Sequence, residues 1–105
     1  MKFEIIWSYF AEKQLDEIYD YYLENASYKV AGNLINNLLK EPDTLIKNPL
    51  TGQIEPSLPD RKEIYRYLVY KSYKIIYSVD DDEKHIKIAD VFDTRQNPVK
   101  ITRKK

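Results

Sequence analysis

Apolar and polar residues alternate at the start of the chain and then change to a helical spacing. The alternation covers residues 2–7, where Phe3, Ile5 and Trp7 fall on one side, as in a strand with one buried face. After Ser8 the apolar positions recur every three or four residues, which is the spacing of a helix with one apolar stripe. The pattern predicts one strand followed by helical structure.

Two amphipathic helices are predicted, each preceded by a serine. The hydroxyls of Ser8 and Ser27 can accept a hydrogen bond from an otherwise unpaired N–H in the first turn. Pro42 lacks the N–H that a helix interior needs, so the second helix should kink or restart there. The apolar stripe of the first helix consists of Leu15, Ile18, Tyr19, Tyr22 and Leu23. The stripe of the second consists of Val30, Ala31, Leu34, Ile35, Leu38 and Leu39. The short connection between them predicts an antiparallel helical hairpin.

A loop containing three prolines and Gly52 covers residues 48–60, as turn chemistry requires. β-Branched and aromatic residues dominate afterwards and predict strands over residues 63–70, 72–79 and 85–92. The turns between them, residues 70–72 and 80–84, are short. The three strands should therefore form an antiparallel meander.

The face of the sheet that the helices cover can be predicted from the middle strand. Tyr73, Ile75, Tyr77 and Val79 make up its more apolar side, which should lie under the helices. In the last strand Asp90 interrupts the apolar alternation, and the interruption predicts a bulge or a strand end. Arg66, between Ile64 and Leu68 in an apolar row, is either a salt-bridged structural residue or a site residue.

These elements predict an α+β fold of order β-α-α-β-β-β, with a mainly antiparallel sheet and the helical hairpin on one face. The length of 105 residues predicts one domain, residues 1–105, with a basic tail at residues 98–105. Cysteine is absent, which excludes disulfides and thiolate chemistry. Without a leader-like start or a membrane-length apolar run, we expect a soluble cytoplasmic protein.

The formal net charge of zero conceals a difference between the two halves. Residues 1–60 carry 5 basic and 10 acidic side chains, whereas residues 61–105 carry 12 and 7. The basic half indicates a surface for an anionic partner. No glycine-rich phosphate loop, pair of histidines or serine with a histidine base occurs in the sequence, so we expect neither a cofactor nor a metal.

The element order and three short motifs resemble the RelE/ParE superfamily of bacterial type II toxins. The motifs are Arg66-Tyr67-Leu68-Val69, Tyr73-Lys74-Ile75-Ile76-Tyr77 and residues 91–98, Val-Phe-Asp-Thr-Arg-Gln-Asn-Pro. The resemblance implies a small toxin neutralised by a cognate antitoxin. RelE-like members cleave messenger RNA in the ribosome without a metal, and ParE-like members poison DNA gyrase.

RNA cleavage through the 2′-hydroxyl requires a proton acceptor, a proton donor and fixed positive charge. Arg66, Lys74 and Arg95 are the candidate catalytic cations. By resemblance, Lys74 stands where many members have an arginine, and Arg95 matches the arginine after the last strand. RNA binding is predicted for exposed tyrosines that can stack on bases and for neighbouring cations. These candidates are Tyr65, Tyr67, Tyr70, Lys71, Lys100 and Arg103.

Two departures from the nuclease pattern keep the alternatives open. Asp93 stands where some members have a histidine, and residues 99–105 contain no tyrosine, whereas RelE-like nucleases can carry a catalytic one there. The first expectation is a toxin that cleaves messenger RNA on the ribosome. The alternatives are a non-enzymatic gyrase inhibitor and a non-toxic protein that only binds its antitoxin. An acidic antitoxin segment should cover the basic sheet face or a groove beside the helices, and a homodimer is compatible with the sequence.

Overall fold

A computed structural model describes residues 2–55 and 64–95 of the chain. A five-stranded sheet and two helices make up this part. The helices are α1, Tyr9–Asn25, and α2, Tyr28–Lys40, and two short 3₁₀ segments follow at Glu41–Leu45 and Pro49–Thr51. The strands are β1, Glu4–Trp7; β2, Gln53–Ile54; β3, Arg66–Tyr70; β4, Tyr73–Asp80; and β5, His85–Asp93.

The predicted α+β class is confirmed, and two features of the sheet go beyond the prediction. The strand order is β1-β5-β4-β3-β2. Strands β3, β4 and β5 form the expected antiparallel meander, but β1 pairs with β5 in parallel. Strand β2, which the sequence analysis assigned to the loop, pairs with β3. The sheet is therefore mixed, with short strands at both edges.

Serine caps begin both helices as predicted. The Ser8 hydroxyl accepts a hydrogen bond from the Ala11 N–H at 3.0 Å and donates one to the Ala89 carbonyl at 3.3 Å. The Ser27 hydroxyl accepts from the Val30 N–H at 3.1 Å. Ser8 thus caps α1 and also attaches its first turn to β5.

The main core lies between the two helices and the predicted face of β4. Tyr73, Ile75 and Tyr77 are buried there, and the helices contribute Ala11 and Leu38, among others. The predicted stripe of α2 is too wide, because Val30 and Leu39 remain 47% and 42% exposed. A smaller cluster, centred on Ile76 and Phe92, lies on the opposite side of the sheet. We call these two sides the helix face and the second face.

The interruption at Asp90 is a β-bulge. Ile76 pairs with Asp90 and Tyr77 with Ile88, so Ala89 is an additional residue in β5. The bulge keeps Ile88 and Val91 on the helix face although they are three positions apart. Asp93, which pairs with Tyr73, consequently returns to the helix face at the end of the strand.

A buried tyrosine connects the second 3₁₀ segment, Pro49–Thr51, to the sheet. The Tyr77 hydroxyl donates a hydrogen bond to the Pro49 carbonyl at 2.7 Å and accepts one from the Gly52 N–H at 2.9 Å. A Cβ on Gly52 would lie 2.6 Å from that hydroxyl oxygen and 2.7 Å from the Tyr67 carbonyl oxygen. Position 52 therefore has no space for a side chain, and glycine lets β2 lie close to β3 and to the Tyr77 hydroxyl.

Candidate functional site

Lys74 lies on the second face in a small cluster of aromatic and charged side chains. Its ammonium nitrogen is 3.1 Å from Glu55 Oε1 and 4.1 Å from the centroid of the Tyr67 ring. The side chain of Lys74 is 21% exposed and that of Glu55 is fully buried. The ion pair and the cation–π contact hold the lysine against the sheet, and we call these three residues the Lys74 cluster.

Glu55 is a member of this cluster that the sequence analysis did not single out. Its N–H donates a hydrogen bond to the Tyr65 carbonyl at 2.8 Å, so the residue continues the pairing of β2 beyond Ile54. A buried carboxylate requires compensation by a cation or by hydrogen bonds. The sequence signal for Glu55 was weak, because a strand of two residues is too short to show an alternation.

Arg66 lies on the helix face, opposite the Lys74 cluster. It pairs with Tyr77 in the sheet, and its Nη1 donates to the carbonyls of Gly52 at 2.9 Å and Leu50 at 3.4 Å. These contacts attach the loop before β2 to the sheet, next to the Tyr77 hydroxyl. Arg66 therefore has a structural role through backbone carbonyls, whereas a salt bridge or a role in a site was predicted.

Arg95 follows the end of β5 and forms an ion pair with Asp93. Its Nη2 is 2.6 Å from Asp93 Oδ2, and its Nε is 3.0 Å from Oδ1. This hydrogen-bonded pairing lowers the pKa of Asp93 below its usual value, against the opposing effect of burial. Arg95 itself is 69% exposed, so the pair lies at the surface.

Two tyrosine hydroxyls adjoin this ion pair on the helix face. The Tyr73 hydroxyl donates a hydrogen bond to the Tyr22 hydroxyl at 3.3 Å. Burial, followed by this hydrogen bond, raises the pKa of Tyr73 well above its usual value. Tyr73 therefore remains a neutral hydrogen-bonding group over the physiological range.

The three predicted catalytic cations do not converge. Lys74 lies on the second face, Arg66 on the helix face, and Arg95 after β5. Each cation already has a partner within the chain. Their catalytic roles stay predictions.

The predicted RNA-binding tyrosines are less exposed than expected. Tyr65 and Tyr67 are half-buried against the cluster of Ile76 and Phe92. Tyr70 is half-buried against the main core, because strand alternation places it on the same face as Arg66. The expected exposure is therefore corrected for all three. Lys71 is exposed in the turn between β3 and β4, and Lys100 and Arg103 lie outside the described residues. RNA binding by these residues stays a prediction.

In the part of the chain that the structure describes, residues 2–55 and 64–95, no three His, Asp or Glu side chains converge as the ligands of a metal ion would. None of the helices in this part has both the length and the apolar composition needed to cross a bilayer.

A family model and a solved structure both match the chain. The family model described as "ParE toxin of type II toxin-antitoxin system, parDE" matches residues 5–98. A solved structure titled "Chromosomal ParDE TA system from P. aeruginosa" superimposes with a TM-score of 0.71 at 20% sequence identity. The match covers 87% of this chain and 95% of that chain, and at this identity it shows the fold alone. No curated protein matches the chain.

Proposed function

The chain belongs to the ParE family of toxins from type II toxin–antitoxin systems, and we propose that it arrests growth by binding and blocking DNA gyrase. Inhibition by binding needs a complementary surface, and it needs no constellation of acid, base and cation. Gyrase is the target that the resemblance to ParE-like toxins implies.

The observation that carries the proposal is the dispersal of the candidate catalytic cations. Cleavage of RNA requires positive charge fixed where the phosphorane develops. Arg66 is hydrogen-bonded to the loop before β2, Lys74 to Glu55, and Arg95 to Asp93. A single reacting phosphate could not be held by cations on opposite sides of a sheet.

The state of Glu55 supports the same proposal. A general base must reach the proton that it removes. The Glu55 side chain is fully buried and ion-paired with Lys74, so a ribose hydroxyl would have to displace the lysine to reach it. The cluster as it stands stabilises the edge of the sheet, where β2 begins.

The toxin–antitoxin context supports an antitoxin as a partner of the chain. We propose that an acidic segment of this antitoxin covers the toxin surface that contacts gyrase, so that neutralisation and inhibition compete. An antitoxin segment with apolar anchors and a charged rim fits the general anatomy of such interfaces.

A supercoiling assay tests the proposal. Purified chain is incubated with gyrase, relaxed plasmid and ATP, and relaxation of supercoiled plasmid by a type I topoisomerase serves as the control reaction. We expect micromolar protein to stop supercoiling, prior addition of antitoxin to restore it, and the control to be unaffected. Full supercoiling at tens of micromolar toxin would overturn the proposal.

Metal-independent cleavage of messenger RNA on the ribosome is the second candidate, and it would require RNA to separate Lys74 from Glu55. The cluster places a cation, a carboxylate and an aromatic ring together on one face. Programmed ribosomes are incubated with the chain and with its Lys74→Gln variant, and the messenger is mapped for breaks. Breaks that disappear in the variant, together with unaffected supercoiling, would establish this candidate instead of gyrase inhibition.

A further inference from the structure

A cleft of about 370 Å³ lies beside α2, the β3–β4 turn and the end of β5. We call it the α2 cleft. It lies on the helix side of the sheet, away from the Lys74 cluster. Its polar lining includes Asn33, Asn37, Lys71 and Arg95, and Tyr70 and Leu34 contribute apolar surface.

Hydrogen-bond donors enter the cleft from two elements. Asn33 and Asn37 are four residues apart on α2, so their exposed side-chain amides share one face of the helix. Lys71 occupies the turn with a φ of 54°, and its ammonium nitrogen is 5.8 Å from the centroid of the Tyr70 ring. An amide pair thus lines a cleft that also contains a lysine beside an aromatic ring.

Arg95 adds a third kind of donor. Asp93 occupies the Nε and Nη2 edge of the guanidinium, and the Tyr22 hydroxyl also interacts with it. The Nη1 group carries two further N–H donors. Among the described residues that line the α2 cleft, none is Asp or Glu. The described lining is therefore rich in hydrogen-bond donors, and it includes a lysine and no acidic side chain.

We propose that the α2 cleft binds the phosphate group of a nucleotide or of a nucleic-acid backbone. A phosphate presents several acceptor oxygens at once, and Arg, Lys and amide donors are the groups that bind it. The ring of Tyr70 and the neighbouring apolar surface suit an attached base, which binds by stacking. A carboxylate ligand fits the cleft less well, because it has only two acceptor oxygens and no attached base to contact the apolar side of the cleft.

The inference goes beyond the proposed function, because gyrase inhibition needs no ligand in this cleft. It shares Tyr70 and Lys71 with the RNA contacts predicted from the sequence, and it adds Asn33 and Asn37 from α2. The result of the supercoiling assay therefore does not decide whether the α2 cleft binds phosphate. A separate binding experiment decides this.

A binding experiment with two phosphate probes tests the cleft. ADP and fluorescein-labelled dT12 are titrated into the full, ¹⁵N-labelled chain, and binding is followed by anisotropy and by the side-chain amide signals of Asn33 and Asn37. We expect these two amide pairs to shift. Lys71→Gln should weaken binding about tenfold, as the loss of one charged hydrogen bond implies. It should also reduce the slope of log K against log salt by roughly 0.7 for dT12.

The matched control is Lys47→Gln, which removes one exposed lysine outside the cleft and should leave both affinities unchanged. Binding of ADP that depends on Lys71 would assign the cleft to a nucleotide, and such binding of dT12 alone would assign it to a backbone. Absence of binding to both probes at millimolar concentration would overturn the proposal. So would equal losses in the two variants, or equally tight binding of a polyglutamate peptide.

Discussion

Replacing Tyr77 with phenylalanine removes one oxygen atom from the junction between the loop and the sheet. Tyr77 has no exposed surface, and its hydroxyl serves the Pro49 carbonyl and the Gly52 N–H simultaneously. The aromatic ring and its packing remain in the variant. The perturbation is therefore restricted to two hydrogen bonds and to the backbone groups that lose them.

The expected cost follows from the burial of those groups. A buried donor or acceptor left without a partner costs about 1–3 kcal/mol. Gly52 is buried and Pro49 is half-buried, so water can replace the hydroxyl at the second group more easily than at the first. We expect a loss of about 2–4 kcal/mol in the free energy of unfolding, out of about 5–15 kcal/mol for a typical domain.

Urea denaturation followed by the fluorescence of Trp7 measures this loss. Trp7 is the single tryptophan in the chain, and it packs against the main core. Tyr67→Phe is the matched control, because the Tyr67 hydroxyl donates to Gln53 Oε1 at the surface and should contribute under about 1 kcal/mol. Hydrogen exchange of the Gly52 amide should accelerate only in the Tyr77 variant. Equal urea midpoints for the two variants would refute the reasoning.

Three further measurements probe other parts of the fold. Ser8→Ala should lower the free energy of unfolding by about 1–2 kcal/mol, because α1 loses its cap; a thermal melt by circular dichroism, with Ser8→Asp retaining an acceptor, checks this. Lys74→Gln should cost about 1–3 kcal/mol through loss of its charged hydrogen bond to Glu55, and Lys74→Arg should recover part of it; an unchanged urea midpoint would show that the pair stabilises nothing. The pKa of Asp93 is lower in the folded state than its unfolded value of 3.8. Ionised Asp93 should therefore stabilise the fold above pH 3.8, and this contribution is lost as the pH falls through the folded-state pKa. Asp93→Asn should reduce the change in urea midpoint between pH 5 and pH 2.5, and parallel plots of midpoint against pH for variant and wild type would contradict this.

Local patterns were sufficient for most of the elements. Serine at the start of each helix, proline at the end of α2 and period-two alternation in β4 all depend on residues close together in sequence. The interruption at Asp90 was visible for the same reason, and it predicted a bulge or a strand end. The pairing register shows that it is a bulge at Ala89. Strand β2 was missed because two residues that pair with β3 carry no periodic signal.

The candidate site was less predictable, because it depends on which residues are brought together from distant parts of the chain. The sequence determined that Arg66 and Leu68 share one side of a strand and that Lys74 and Ile76 share one side of the next. Tertiary structure decided that these two sides are opposite faces of the sheet, and it placed Glu55 beside Lys74 and Leu50 beside Arg66. Alternation relates neighbours within a strand, but pairing register and loop closure relate residues far apart in the chain. The position of each cationic side chain was therefore determined by non-local packing. The same packing separates the three predicted catalytic residues.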